Sequence, residues 1–247
     1  MKKLSNIGVK INSRIGKAIH DYKLIEEGDK ILVGVSGGKD SLTLLKFLKD
    51  IQGWAPVKFD IIAYHVLTDI QSEPEEHEKF LREVFETIGV KYKIKKIKIP
   101  DDKKVKSGCF WCAWNRRKTL FKAADKLGCN KVALGHHKDD IVETMLMNLF
   151  YNGEISAMNP RQELFGGEVI IIRPLCYVEE EMTAKFSKEN GFYGRTCQCR
   201  LAGDSKRKFV KDLIREVERS NPKINVKSNI FRSVSRIREG YIDLKNG

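Results

Sequence analysis

Six consecutive residues, Ser36-Gly37-Gly38-Lys39-Asp40-Ser41, follow directly on the apolar run Ile31-Leu32-Val33-Gly34-Val35. Two glycines let the backbone approach an anion closely, and a helix starting here would offer N–H groups and a positive dipole end. Ser36 and Ser41 can donate hydroxyl bonds, and Lys39 supplies a point charge. The set is suited to gripping phosphate. It is not a Walker A loop, which places four residues between its first glycine and Gly-Lys-Ser/Thr, and it is not Gly-x-Gly-x-x-Gly. The plainer alternative is a tight strand-to-helix turn with an incidental lysine.

A second loop has the same setting. Gly135-His136-His137-Lys138-Asp139-Asp140 follows Lys131-Val132-Ala133-Leu134, with Glu143 just beyond. Two adjacent acids suit Mg²⁺ binding or proton transfer, although helix capping would also explain one of them. Asp139 and Asp140 are therefore candidate catalytic residues beside Lys39. Gly135 and His136 are expected to border the nucleotide, and His137 to form a polar wall.

Six cysteines form the third set: Cys109, Cys112, Cys129, Cys176, Cys197 and Cys199. Cys109-Phe110-Trp111-Cys112 is a Cys-x-x-Cys expected just before a helix, able to hold zinc, an iron–sulfur cluster or a redox disulfide. Arg116 and Arg117 are expected in that helix's first turn, as bidentate donors to ATP or RNA phosphates. Cys197-Gln198-Cys199 adds a second pair. Three thiolates would leave one iron of a cubane cluster open to hold sulfide, whereas four would close a structural zinc site. Cys129 and Cys176 adjoin apolar segments and read as small buried hydrophobes.

The surrounding pattern supplies the elements that position these loops. An amphipathic helix is expected over 9–27, and buried strands over 31–35, 59–67, 131–135 and 169–172. A half-exposed or edge strand is expected over 90–99, where lysines nearly alternate with apolar residues. Helices are expected over 42–48, 75–88, 114–127, 140–151, 179–190, 205–219 and 231–239. Strands alternating with helices up to residue 175 predict an α/β fold, a doubly wound parallel sheet with ligands at its carboxyl edge. The expected division is a helical lead-in over 1–27, the nucleotide-binding domain over 28–178 and a basic helical extension over 179–247.

The 247 residues carry a net charge of +13 with 41% hydrophobic residues, enough for a real core. From Arg200 to Gly247 there are 13 basic and 6 acidic residues, and Lys91 to Lys106 holds 8 lysines. Such excess points to a polyanionic partner, with a solubilising surface as the bland alternative. No apolar run approaches a membrane span, and no h-region follows Met1-Lys2-Lys3, so a cytoplasmic protein is expected.

Ser36 to Ser41 resembles the PP-loop of the N-type ATP pyrophosphatases. In that family the loop holds the β,γ-phosphates, and the substrate is adenylated at Pα with loss of pyrophosphate. Ser36 to Ser41, Cys109 to Lys118, Ala133 to Tyr151, Ile172-Arg173-Pro174-Leu175 and Arg207 to Leu213 together resemble the tRNA 2-thiocytidine synthetase (TtcA) family. That resemblance implies Mg-ATP, a [4Fe–4S] cluster on three cysteines, and replacement of a cytidine C2 oxygen by sulfur in a tRNA anticodon loop. It implies Cys109 and Cys112 as cluster ligands, with Cys199 as the third and Cys197 as its alternative. It also implies a sulfur donor (a cysteine desulfurase or free sulfide), RNA contacts at Arg116, Arg117, Arg207 and Lys208, and allows a homodimer. The alternatives are a tRNA 2-thiouridine synthetase of the same superfamily and a zinc-stabilised RNA-binding module with a relict ATP loop.

Overall fold

The computed structural model describes residues 4–71, 73–99, 108–192, 205–236 and 238, without the side chains of 108–110 and 205. Cys197, Cys199 and most of the 98–106 part of the lysine run lie outside the described residues.

Numbered in chain order, the strands are β1 (Lys30–Gly34), β2 (Asp60–Thr68), β3 (Tyr92–Ile97), β4 (Lys131–Leu134), β5 (Arg161–Leu164) and β6 (Val169–Ile172). The helices are α1 (Asn6–Tyr22), α2 (Lys39–Gln52), α3 (Pro74–Ile88), α4 (Gly108–Lys126), α5 (Lys138–Asn152), α6 (Glu180–Glu189), α7 (Ser205–Ser220) and α8 (Val226–Ser233). Packing divides them into two compact units. One holds the sheet with α1 to α4 and α6, and the other holds α5, α7 and α8.

In the sheet unit the strand order is β3-β2-β1-β4-β6-β5. All neighbours pair in parallel except β5 with β6. The central strands are continuous apolar runs because helices cover both their faces, and Ile31, Leu32, Val33, Val132 and Ala133 are fully buried. The half-exposed strand expected over 90–99 is β3, at the sheet edge. Chain order reverses between β1 and β4, so the loops leaving these adjacent strands diverge at a topological switch point. α1 starts where Ser5 Oγ accepts from Gly8 N–H, and its buried stripe runs Gly8, Ile11, Ile15, Ala18.

A division at residue 178 differs from this packing. α6 belongs with the sheet, since the Phe186 ring packs tilted against that of Phe47 of α2, with centroids 4.8 Å apart. α5 instead shares a core with α7 and α8, built on Val142, Val210 and Ile214.

One ion pair fixes the amino edge of the sheet. Lys131 of β4 is 1% exposed, and its ammonium meets Asp29 at 2.7 Å and Glu26 at 2.9 Å. Asp29 also accepts from Asn130 Nδ2 at 2.7 Å. Removing one partner of a buried pair strands the other charge. Asp29→Ala is expected to cost about 3 kcal/mol of stability, read from urea unfolding, and a loss below about 0.5 kcal/mol would contradict the clamp.

Candidate active site

The phosphate loop sits in the sheet unit, between β1 and α2. Gly37 takes φ +88, and a Cβ there would lie 2.4 Å from His77 Cε1, so only glycine fits. Gly38 caps α2 in extended conformation with no side-chain cap, which leaves the helix dipole facing the loop. Ser41 Oγ donates to the Gly38 carbonyl at 2.9 Å and accepts from Ser36 N–H at 3.1 Å. Ser36 Oγ accepts from Gly38 N–H at 3.2 Å. The serines thus shape the loop from within.

Lys39 Nζ lies 3.0 Å from Asp40 and 3.2 Å from Glu180 of α6. Burial alone would lower its pKa, but Asp40 and Glu180 outweigh it and hold the ammonium above its usual value. Asp40 also accepts from Thr183 Oγ1 of α6 and stands 3.9 Å from His137 Nε2. The second loop comes close through Gly135, where a Cβ would lie 2.9 Å from Ser41 N. His136 is half-buried and His137 is buried.

Two histidines that the sequence did not single out lie behind the loop. His65 Nδ1–H donates to the Val35 carbonyl at 2.7 Å, and its ring lies 5.0 Å from that of His77. Burial pushes the His65 pKa down to about 3, with Arg116 adding to the effect. Each is an isolated histidine in its element, so no spacing signal marks it.

The cysteines and arginines fall differently from expectation. α4 begins at Gly108 rather than near Trp114, so Cys109 and Cys112 occupy its first two turns. Arg116 and Arg117 accordingly sit in its third turn, not its first. No glycine or proline interrupts 109–126, and the helix simply extends back through the cysteines. A three-residue spacing within one helix sets positions 109 and 112 on one face, and Cys112 is half-buried. Soft thiolates so placed fit an iron–sulfur cluster or zinc. The two later cysteines lie outside the described residues. Cys129 and Cys176 are buried, and burial raises the Cys176 thiol to about 12. They behave as small hydrophobes.

In the helical unit, α5 starts at Lys138, which puts Asp139 and Asp140 in its first turn. Asp139 pairs with Lys227 at 2.8 Å, and Asp140 with Arg207 at 3.3 Å. Glu143 meets Arg207 at 3.2 Å and Lys211 at 3.5 Å. Lys208 is exposed and pairs with Asp212 on its own helix at 2.7 Å. Arg207 is therefore anchored to acids, while Lys208 faces solvent.

A family model described as the PP-loop domain matches residues 7–215. The tRNA-cytidine(32) 2-sulfurtransferase of Acidovorax ebreus (strain TPSY) is 42% identical over 219 residues, spanning 84% of this chain and 67% of the relative. That of Geobacter metallireducens (strain ATCC 53774 / DSM 7210 / GS-15) is 40% identical over 242 residues, spanning 94% and 91%. The chain belongs to this family of tRNA sulfurtransferases. Its fold is also that of the U34-tRNA thiolase NcsA from Methanococcus maripaludis with its [4Fe-4S] cluster. The TM-score is 0.77 at 23% identity, over 93% of this chain and 78% of that one.

Two outcomes follow from the loop geometry. Gly37→Ala forces a positive φ and a clash with His77, so ATP affinity should fall roughly tenfold or more by calorimetry; unchanged affinity would refute the fit. His65 stays neutral when folded down to about pH 3. The unfolded chain takes up that proton near 6.5, so stability falls as pH drops between the two values. His65→Asn keeps a donor to Val35 and should flatten this acid limb by about 1.4 kcal/mol per pH unit, measured by urea unfolding across pH.

Proposed function

We propose that the chain replaces the C2 oxygen of cytidine 32 in tRNA with sulfur, using ATP to activate that oxygen. The reading rests above all on the phosphate loop and Cys109-x-x-Cys112 occurring together in a chain of this family. The two adenylation partners are ATP and the base. The cytidine O2 attacks Pα, an O–P bond forms and pyrophosphate leaves. Sulfur then bonds to C2, and AMP departs with the original oxygen.

Ser36 to Ser41 hold the leaving pyrophosphate through the α2 N-terminus and the Lys39 ammonium, where charge develops. Asp40, fixed by Thr183 and Lys39, keeps that lysine aimed along the loop. Gly135 and His136 border the nucleotide. Asp139 or Asp140 binds Mg²⁺ or manages a proton, exchanging its present ion pair to do so. Mg²⁺ supplies charge neutralisation on the phosphates. Cys109 and Cys112, with Cys199 or Cys197, would hold a [4Fe–4S] cluster. When bound, it supplies an open iron to carry the sulfide.

Arg116, Arg117, Arg207 and Lys208 contact the RNA backbone, and the target base leaves its stack to react. Free sulfide supplies the sulfur directly, or a cysteine desulfurase supplies it as a persulfide that a thiol reductant brings to sulfide with two electrons; the enzyme works in the cytoplasm, with a homodimer as its proposed assembly. No helix among the described residues is long and apolar enough to cross a membrane.

Anaerobically purified protein should carry about four iron and four acid-labile sulfide per chain. Cys112→Ala should lose both, together with 2-thiocytidine in nucleoside mass spectrometry, while retaining ATP binding. Undiminished 2-thiocytidine from that variant, or zinc in place of iron in the wild type, would overturn the cluster assignment.

A further inference from the structure

The outer flank of α4 carries an open groove of about 920 Å³, of whose lining residues only Arg117 has a role in the reading above. Its upper walls are Trp114, Arg117, Lys118, Phe121 and Lys122 of α4, faced by Phe165 from the turn between β5 and β6. The helix residues recur at three- and four-residue spacing, so they line one face over about 12 Å of helix axis.

The groove's composition favours one kind of occupant. Trp114 is 42% exposed and stacks parallel on Trp111 at 5.0 Å, with the Lys118 ammonium 4.7 Å from its ring centre. Phe165 is 65% exposed and meets Phe121 edge-on at 6.1 Å. Aromatic planes interleaved with cations are the chemistry of single-stranded nucleic acid binding, with bases on the rings and phosphates on the side-chain cations. The two acids of the groove, Asp125 and Glu168, line it with the Gly128-Cys129-Asn130 segment after α4. The end nearer the cysteines holds the cations.

The turn provides a second, independent observation. Phe165 has φ +53, a left-handed conformation costly for a bulky residue, and Gly166 and Gly167 follow at +68 and +97. Asparagine or glycine would make this turn more cheaply. The strain instead presents an aromatic ring to solvent across from α4, and such strain concentrates at binding sites.

We propose that this groove seats unpaired nucleotides of the tRNA anticodon loop, a base on Phe165 and phosphates on Arg117, Lys118 and Lys122, beside the Trp111–Trp114 stack that walls its upper end. The assignment rests on the tRNA reading above and adds to it where the RNA runs. α4 carries Cys112 two residues before Trp114, so RNA in the groove is led along one helix to the cysteine end.

The test uses the full-length holoenzyme and a fluorescein-labelled anticodon stem–loop containing an unmodified cytidine, titrated at several salt concentrations. Phe165→Ala should weaken binding roughly five- to hundredfold, as expected for losing one base stack. Lys122→Glu, on the exposed helix flank, should weaken binding and reduce the magnitude of the log–log salt slope by about one. Both variants should bind ATP as the wild type does. Unchanged affinity and slope in both would overturn the proposal. A change confined to self-association, read by sedimentation, would also overturn it and make the groove an interface between copies. Wild-type protein that neither binds nor thiolates tRNA would instead defeat the underlying functional reading.

Discussion

The close approach of Gly135 to the first turn of α2 is the contact on which the nucleotide site depends. A Cβ at Gly135 would sit 3.0 Å from Ser41 Cα and 3.1 Å from the Asp40 carbonyl carbon, with backbone rather than a yielding side chain in the way. Two loops from adjacent parallel strands therefore meet main chain to main chain. That contact holds the start of α2 against the sheet, and with it the helix dipole that faces an incoming phosphate. It also brings His137 beside Asp40. The topology makes the contact reachable, because chain order reverses between β1 and β4. Glycine makes it close.

The ion pairs of the molecule fall into two physical regimes. Asp29 and Lys131 are almost fully buried, and their pairing is a permanent part of the sheet edge. The pairs of Lys39 and Arg207 are more open. Lys39 with Asp40 and Glu180 keeps a third of its side chain exposed, as does Arg207 with Asp140. Pairs of that kind are worth about 0–1 kcal/mol, so a polyphosphate or an RNA backbone can replace the acid at little cost. The acids hold the cations charged and aimed in the meantime. Glu143 differs, being 3% exposed, and it anchors both Arg207 and Lys211 rather than standing in for an anion.

Much of this arrangement was legible in the sequence where a single local signal sufficed. β1, β4 and β6 are continuous apolar runs, and each ends at or just before a glycine- or arginine-marked turn. β5 was missed, since Arg161-Gln162-Glu163-Leu164 is polar, four residues long and lies on the edge beyond β6. α8 was expected from Phe231 but starts at Val226, although Asn225 offers a cap to Ser228 N–H. The place of α6 depends on Phe186 meeting Phe47 and Thr183 meeting Asp40, contacts across more than 130 residues that no pattern reveals. His65 and His77 were invisible for the same reason. Their role comes from what the fold lays over them.

α4 shows how one element can serve three tasks without compromise. Its inner face, through Leu120, Ala123 and Ala124, packs with Leu32, Val66 and Val132 in the sheet core. Its first two turns carry the cysteine positions, and its outer flank carries the aromatic and basic side chains of the groove. Each residue along a helix rotates the next by about 100° and advances it by about 1.5 Å. An inserted residue between Cys112 and Trp114 would therefore swing the cysteines round the helix axis relative to both the core face and the groove. The cysteine positions, the groove and the sheet contact are held in register by a single rigid helix, and its packed core face fixes all three at once.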